Sequence, residues 1–130
     1  MRAHREAGVT PDARLRQSVL FGEPMLMQVV QDWLSQDLAF AGVFVTSDVA
    51  AIALISALNA RGIDVPRAVK VVGYDDIEMA GHVFPSLTSI RQPTKLAGKA
   101  LVTLLNEVQS GQARRSVILP TELVERDSTR

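Results

Sequence analysis

The chain has 130 residues, the size of one ordinary domain with a single core. Its 14 basic and 14 acidic side chains cancel and neither sign forms a long run, which disfavours a nucleic-acid surface or an acidic-membrane partner for this segment. Zero cysteines remove disulfides, thiolate metal sites and cysteine nucleophiles together, the start MRAHREAGVTPD lacks the pattern of a secretory signal, and no apolar run approaches the roughly 20 residues that span a bilayer. The expectation is a soluble, unexported, cytoplasmic domain.

In chain order, Met1–Ala7 reads as the tail of a helix capped by Gly8, followed by the turn residues Thr10, Pro11 and Asp12. Arg16–Phe21 predicts a strand that Gly22, Glu23 and Pro24 end, proline suiting the first turn of the next helix. Over Met25–Gln36, Leu26, Val29, Val30 and Trp33 fall at i, i+3, i+4 and i+7, one amphipathic stripe with Trp33 as core anchor. AGVFVTSD then predicts a strand at Val43–Val45 that delivers Thr46, Ser47 and Asp48 to a loop, with Asp48 placed to cap the helix Val49–Arg61. That helix carries two apolar stripes, Ala51, Leu54, Ile55 and Leu58 on one side and Val49, Ile52, Ala53 and Ser56 on another. Burial on more than one side implies that the second stripe meets another subunit or domain.

AVKVVGYDDIEMA is the stretch around which the rest is arranged: an apolar strand at Val69–Val72 opens through Gly73 and Tyr74 onto Asp75 and Asp76. From Asp48 to Asp75 is about 27 residues, the size of a βαβ unit with one crossover helix. Ile77–Phe84 reads as a short helix or turn, and Pro85 and Pro93 bracket an extended piece. Thr94–Ser110, with Ala97, Leu101, Leu104, Leu105 and Val108, predicts a long helix closed by Gly111. SVILPTELVERDS is a strand-like tail that Pro120 confines to an edge or interrupts.

In an open parallel α/β sheet, ligands bind beyond the carboxyl ends of the strands, which is where Ser47, Asp48, Asp75 and Asp76 fall. Adjacent carboxylates point in different directions, so Asp75 and Asp76 do not share one target unaided. Ligand hydrogen bonding by at least one of them, capping alone, and catalysis are the three readings; Asp48 divides between helix cap and ligand contact. His4 and His82 have no zinc spacing, and G-x-S-x-G, G-x-G-x-x-G and P-loop patterns do not occur, so neither a metal nor a cofactor is expected.

Several spaced elements occur together in order: T-S-D after a strand, R-G-x-x-V-P, V-V-G-Y-D-D, P-x-L-T-S-I-R-Q-P and the final L-P-T-E-L-V-x-R-x-S-T. In this the chain resembles the effector-binding core of the LacI/GalR transcription regulators over nearly its whole length. The resemblance implies an α/β fold, a parallel-sheet sandwich with helices on both faces forming one lobe of a periplasmic-binding-protein-like type I domain. It implies a small effector, a sugar or nucleobase, held by Asp75, by Ser47 where the family usually has asparagine, and by Asp48 at the helix start. It further implies a homodimer through Val49, Ile52, Ala53 and Ser56 with Glu78 and His82 of the following loop, and DNA contact only through a helix-turn-helix with no counterpart here. Residues 1–84 and 112–130 would form the carboxyl-terminal lobe, with 85–111 crossing into a first lobe that these residues do not include. The helix at Thr94–Ser110 would then fold back or be exchanged between protomers. A lobe of a sugar-transport binding protein and a magnesium-dependent phosphoryl-transfer enzyme built on Asp48, Asp75 and Asp76 are the rival readings. The first lacks an export signal, and the second lacks a lysine and a third strand-end carboxylate.

Overall fold

The computed structural model describes residues 2–10, 12–18, 23–36 and 40–130. Helix α1 spans Arg2–Glu6, α2 Glu23–Ser35, α3 Asp48–Asn59 and α4 Thr94–Gln109. Strands β1 (Gly42–Phe44), β2 (Lys70–Asp75), β3 (Thr88–Arg91) and β4 (Glu122–Val124) form a four-stranded sheet in the order β1-β2-β3-β4. The first three are parallel, with Phe44 opposite Val72 and Val72 opposite Thr88, while β4 runs antiparallel to β3 at the edge, with Leu123 opposite Ile90.

The period of two along β2 separates the faces. Val71 and Gly73 are buried on the side where α3 lies, and the core joins Val29, Val30 and Trp33 of α2 to Leu54, Ile55 and Leu58 of α3 and to Val71 and Leu87. Trp33 is buried, with its ring edge-on to Phe40 at a centroid distance of 4.9 Å. On the opposite face, Phe44 and Tyr74 meet edge-on with centroids 6.4 Å apart. The helix ends follow the glycines: Gly62 and Gly111 take φ of +72° and +82°, and the next residues, Ile63 and Gln112, donate back to Leu58 and Glu107 carbonyls.

Two segments depart from expectation. Arg16–Ser18 form no strand; the Asp12 carboxylate accepts the Arg14 amide at 2.9 Å and starts a 3-10 turn, Ala13–Leu15, and the rest of the expected strand, Val19–Phe21, lies outside the described residues. β2 runs three residues past the predicted Val72, because β3 pairs with it as far as Asp75 opposite Arg91. α4 forms at its expected place, but none of its residues is buried and Leu101 is 67% exposed, so it does not fold back on the sheet.

The carboxyl-terminal motif closes the other end of the β2–β3 ladder. The Ser128 hydroxyl enters between the two strands, accepting from the Thr88 amide at 2.9 Å and donating to the Val71 carbonyl at 2.6 Å. Ser128 thus bridges the backbone of β2 and β3 through its side chain, and it is fully buried.

Candidate functional site

Parallel pairing of β1 with β2 puts their carboxyl ends in step. Ser47 lies three residues beyond Phe44 and Asp75 three beyond its partner Val72, so the two belong to neighbouring strand ends on one rim. Ser47 is extended (φ −156°) and half-buried at the N-cap position of α3, and its side chain makes no cap hydrogen bond. Asp75 is exposed, with φ of +117°, and Asp76 follows at φ +54°. Left-handed backbone at two consecutive non-glycine residues is strained, and such strain concentrates at binding sites.

The two aspartates have different fates. Asp75 Oδ1 accepts from Gln92 Nε2 at 2.7 Å, and among the described residues its second oxygen accepts nothing. Asp76 turns inward, its carboxylate held by Arg91 Nε and an Arg126 guanidinium nitrogen, each at 2.6 Å. Burial pushes the Asp76 carboxyl up, but the Arg126 and Arg91 hydrogen bonds outweigh it and hold the group below the usual carboxylate range. Arg126 also donates to the Leu87 carbonyl at 2.6 Å, which ties the chain's last turn to the rim. Asp76 is therefore an ion-paired support, and the exposed acceptor is Asp75.

Asp48 corrects two expectations. It is neither the N-cap, a position Ser47 takes, nor a surface acceptor, since it is fully buried in the first turn of α3. Its Oδ1 accepts the Ser89 hydroxyl at 2.6 Å and its Oδ2 accepts the Ile77 amide at 2.9 Å. Ser89 in turn accepts the Asp76 amide at 3.0 Å. A carboxylate on α3 thus satisfies the turn after β2 through β3, and both its oxygens are engaged away from solvent.

The outer stripe of α3 faces solvent: Val49 is 59% exposed, Ser56 is exposed, and Ile52 and Ala53 are half-buried. Glu78 and His82 are exposed on and just after the 3-10 turn Glu78–Gly81, which the Ile77–Asp48 bond fastens to the start of α3. Met79 and Phe84, exposed in the same segment, were not singled out from the sequence. Ser89, Arg91, Gln92, Arg126 and Ser128 were also missed as individual residues; they lie inside the T-S-I-R-Q-P and R-x-S-T motifs, where local periodicity assigns no role. Among the described residues no group of three or more His, Cys, Asp or Glu side chains is placed to hold a metal.

Parallel strands that bring polar side chains to one strained rim, with the Asp48 carboxylate buried beneath it, form the kind of strand-end crevice at which open α/β sheets hold ligands. The chain belongs to the periplasmic-binding-protein-like domain family, which matches residues 1–129. The HTH-type transcriptional regulator RegA of Clostridium saccharobutylicum is 32% identical over 132 residues, covering 98% of this chain and 39% of that protein. The solved complex of the transcriptional regulator CelR with cellobiose superposes with a TM-score of 0.84 at 31% identity over 98% of this chain and 39% of that one. The lac repressor dimer bound to operator and an anti-inducer superposes with a TM-score of 0.86 at 27% identity over 98% of this chain and 44% of that one. The relatives are transcription regulators of the LacI type, which are not enzymes, and the chain spans 26% to 39% of the length of curated relatives it matches. No described helix is long and apolar enough to cross a membrane.

Proposed function

We propose that the chain is the effector-sensing and dimerising part of a cytoplasmic LacI-type regulator. It binds a small polyhydroxylated molecule, a sugar, at the rim formed by Ser47 and Asp75, without catalysis, and it influences DNA only through a helix-turn-helix elsewhere in the longer protein. The observation that carries the reading is Asp75: an exposed carboxylate on strained backbone, oriented on one oxygen by Gln92 and open on the other, on the same rim as Ser47, which follows the end of the neighbouring strand β1. Such an oxygen accepts a sugar hydroxyl, and a serine hydroxyl at the neighbouring strand end serves as donor or acceptor. The likeness to a cellobiose-bound regulator supports a sugar as the ligand class.

Of the residues 85–111 expected to cross over, β3 stays in the sheet of this lobe, and the crossover itself leaves after it through Gln92 and Pro93. The exposed stripe of α3 with Glu78 and His82 serves as a dimer face, in keeping with the dimeric lac repressor. With only one wall of a cleft around Asp75, affinity is expected to be weak. Titration calorimetry against a panel of cellobiose, maltose, galactose and ribose tests the reading. One sugar should bind and Asp75→Asn should weaken it by at least about tenfold, the value of a charged hydrogen bond; equal affinity in the variant contradicts it.

A further inference from the structure

Gly73 of β2 and Ser89 of β3 are register partners, both buried, and Asp48 in the first turn of α3 packs against the pair. With no side chain at Gly73, the Asp48 carboxylate reaches Ser89, whose hydroxyl donates to Oδ1 at 2.6 Å. A serine hydroxyl has a single proton, so giving it to Asp48 leaves the oxygen to accept the Asp76 amide at 3.0 Å. Asp48 Oδ2 accepts the Ile77 amide at 2.9 Å, and one buried pair thereby receives two consecutive amides of the turn after β2.

That turn holds Asp75 and Asp76 in left-handed backbone, with φ of +117° and +54°, which persists only where surrounding contacts over-determine it. The Asp76 N–H lies in the peptide plane shared by the two residues, so fixing it fixes the plane about which both turn. The other contacts go to side chains: Gln92 holds one Asp75 oxygen, and Arg91 and Arg126 hold the Asp76 carboxylate. They orient the carboxylates and not the plane. We infer that Ser89, with its proton directed by Asp48, is a positioning residue of the effector site. It is fully buried and meets no ligand itself; it sets the backbone from which Asp75 presents its open oxygen. The consequence for binding rests on the effector reading proposed above, whereas the hold on the turn stands on the geometry alone.

Nuclear magnetic resonance and calorimetry of the 130-residue chain test this. The three-bond couplings between amide and α protons report φ, and in the wild type those of Asp75 and Asp76 should match +117° and +54°. In Ser89→Ala, shown to be folded by circular dichroism, both couplings should leave those values and sugar affinity should fall by about fivefold, the size of one net hydrogen bond. Ser89→Thr keeps the hydroxyl and should restore both readouts. Asp48→Asn should act like Ser89→Ala, because its amide group sets a donor against the Ile77 amide or takes the Ser89 oxygen away from the Asp76 amide. Should Ser89→Ala not fold, Ser89→Cys, close in shape and weak as a hydrogen-bonding group, carries the same prediction. Unchanged couplings in the folded variant would overturn the inference, and changed couplings with unaltered affinity would overturn Ser89's part in binding. A wild type that binds no sugar would remove the effector reading, while couplings that still change in Ser89→Ala would uphold its hold on the turn.

Discussion

The Asp48 carboxylate lies directly against the Cα of Gly73: a Cβ added there would collide with Oδ1 and stand 2.9 Å from Leu87 Cδ2. The glycine in V-V-G-Y-D-D is thus explained by close approach and not by backbone freedom. Gly73→Ala should displace Asp48 from Ser89 and Ile77 and destabilise the domain by about 1–3 kcal/mol, as overpacking of a tight core does. Urea unfolding at neutral pH measures it; a change below about 0.5 kcal/mol would mean that the carboxylate moves aside freely.

Ser128→Ala should be costly for so small a change. It leaves the Thr88 amide and the Val71 carbonyl facing each other across the gap that the hydroxyl now bridges. A buried polar group without a partner costs about 1–3 kcal/mol. Ser128→Thr keeps the hydroxyl and should fall between the two if the extra methyl is accommodated. Thermal unfolding of the three proteins ranks them.

Asp76 governs part of the acid limb of stability. Its folded-state carboxyl lies below its unfolded value despite burial, because Arg126 and Arg91 donate to it. Near pH 4 the unfolded chain therefore binds more protons at this site, and stability rises with pH there. The contribution is complete above the unfolded value of about 4 and disappears as pH falls through the lower folded value. Asp76→Asn should lower stability at pH 7 and flatten its dependence between about pH 5 and 2. A parallel downward shift of the whole curve would show that the ion pairs are not its source.

Much of the architecture was legible in the chain. The i, i+3, i+4, i+7 stripe of α2 and the caps at Gly62 and Gly111 are local signals, and the observed elements follow them within a few residues. The two-stripe pattern of α3 marked a helix packed inward through Leu54, Ile55 and Leu58 that keeps a second apolar face outside. What local reading missed depends on contacts between distant residues. Asp48 looks like a cap from its neighbours alone, and only β3, 41 positions away, shows that its partner is Ser89. Arg126 reaches Asp76 across 50 positions. Over Arg16–Ser18 no strand forms where the Asp12-capped 3-10 turn ends: the Arg16 amide donates back to the Ala13 carbonyl at 3.2 Å, a local bond that strand propensity does not register.

The rim of Ser47 and Asp75 is tested most directly by amide chemical-shift mapping of the chain titrated with the sugar that calorimetry selects. Saturable shifts should cluster at Ser47–Val49 and Asp75–Ile77 with Gln92, and Asp75→Asn should abolish them while leaving the remaining spectrum unchanged. Saturable shifts confined to other surfaces, or unaltered by Asp75→Asn, would contradict the assignment of this rim as the effector site.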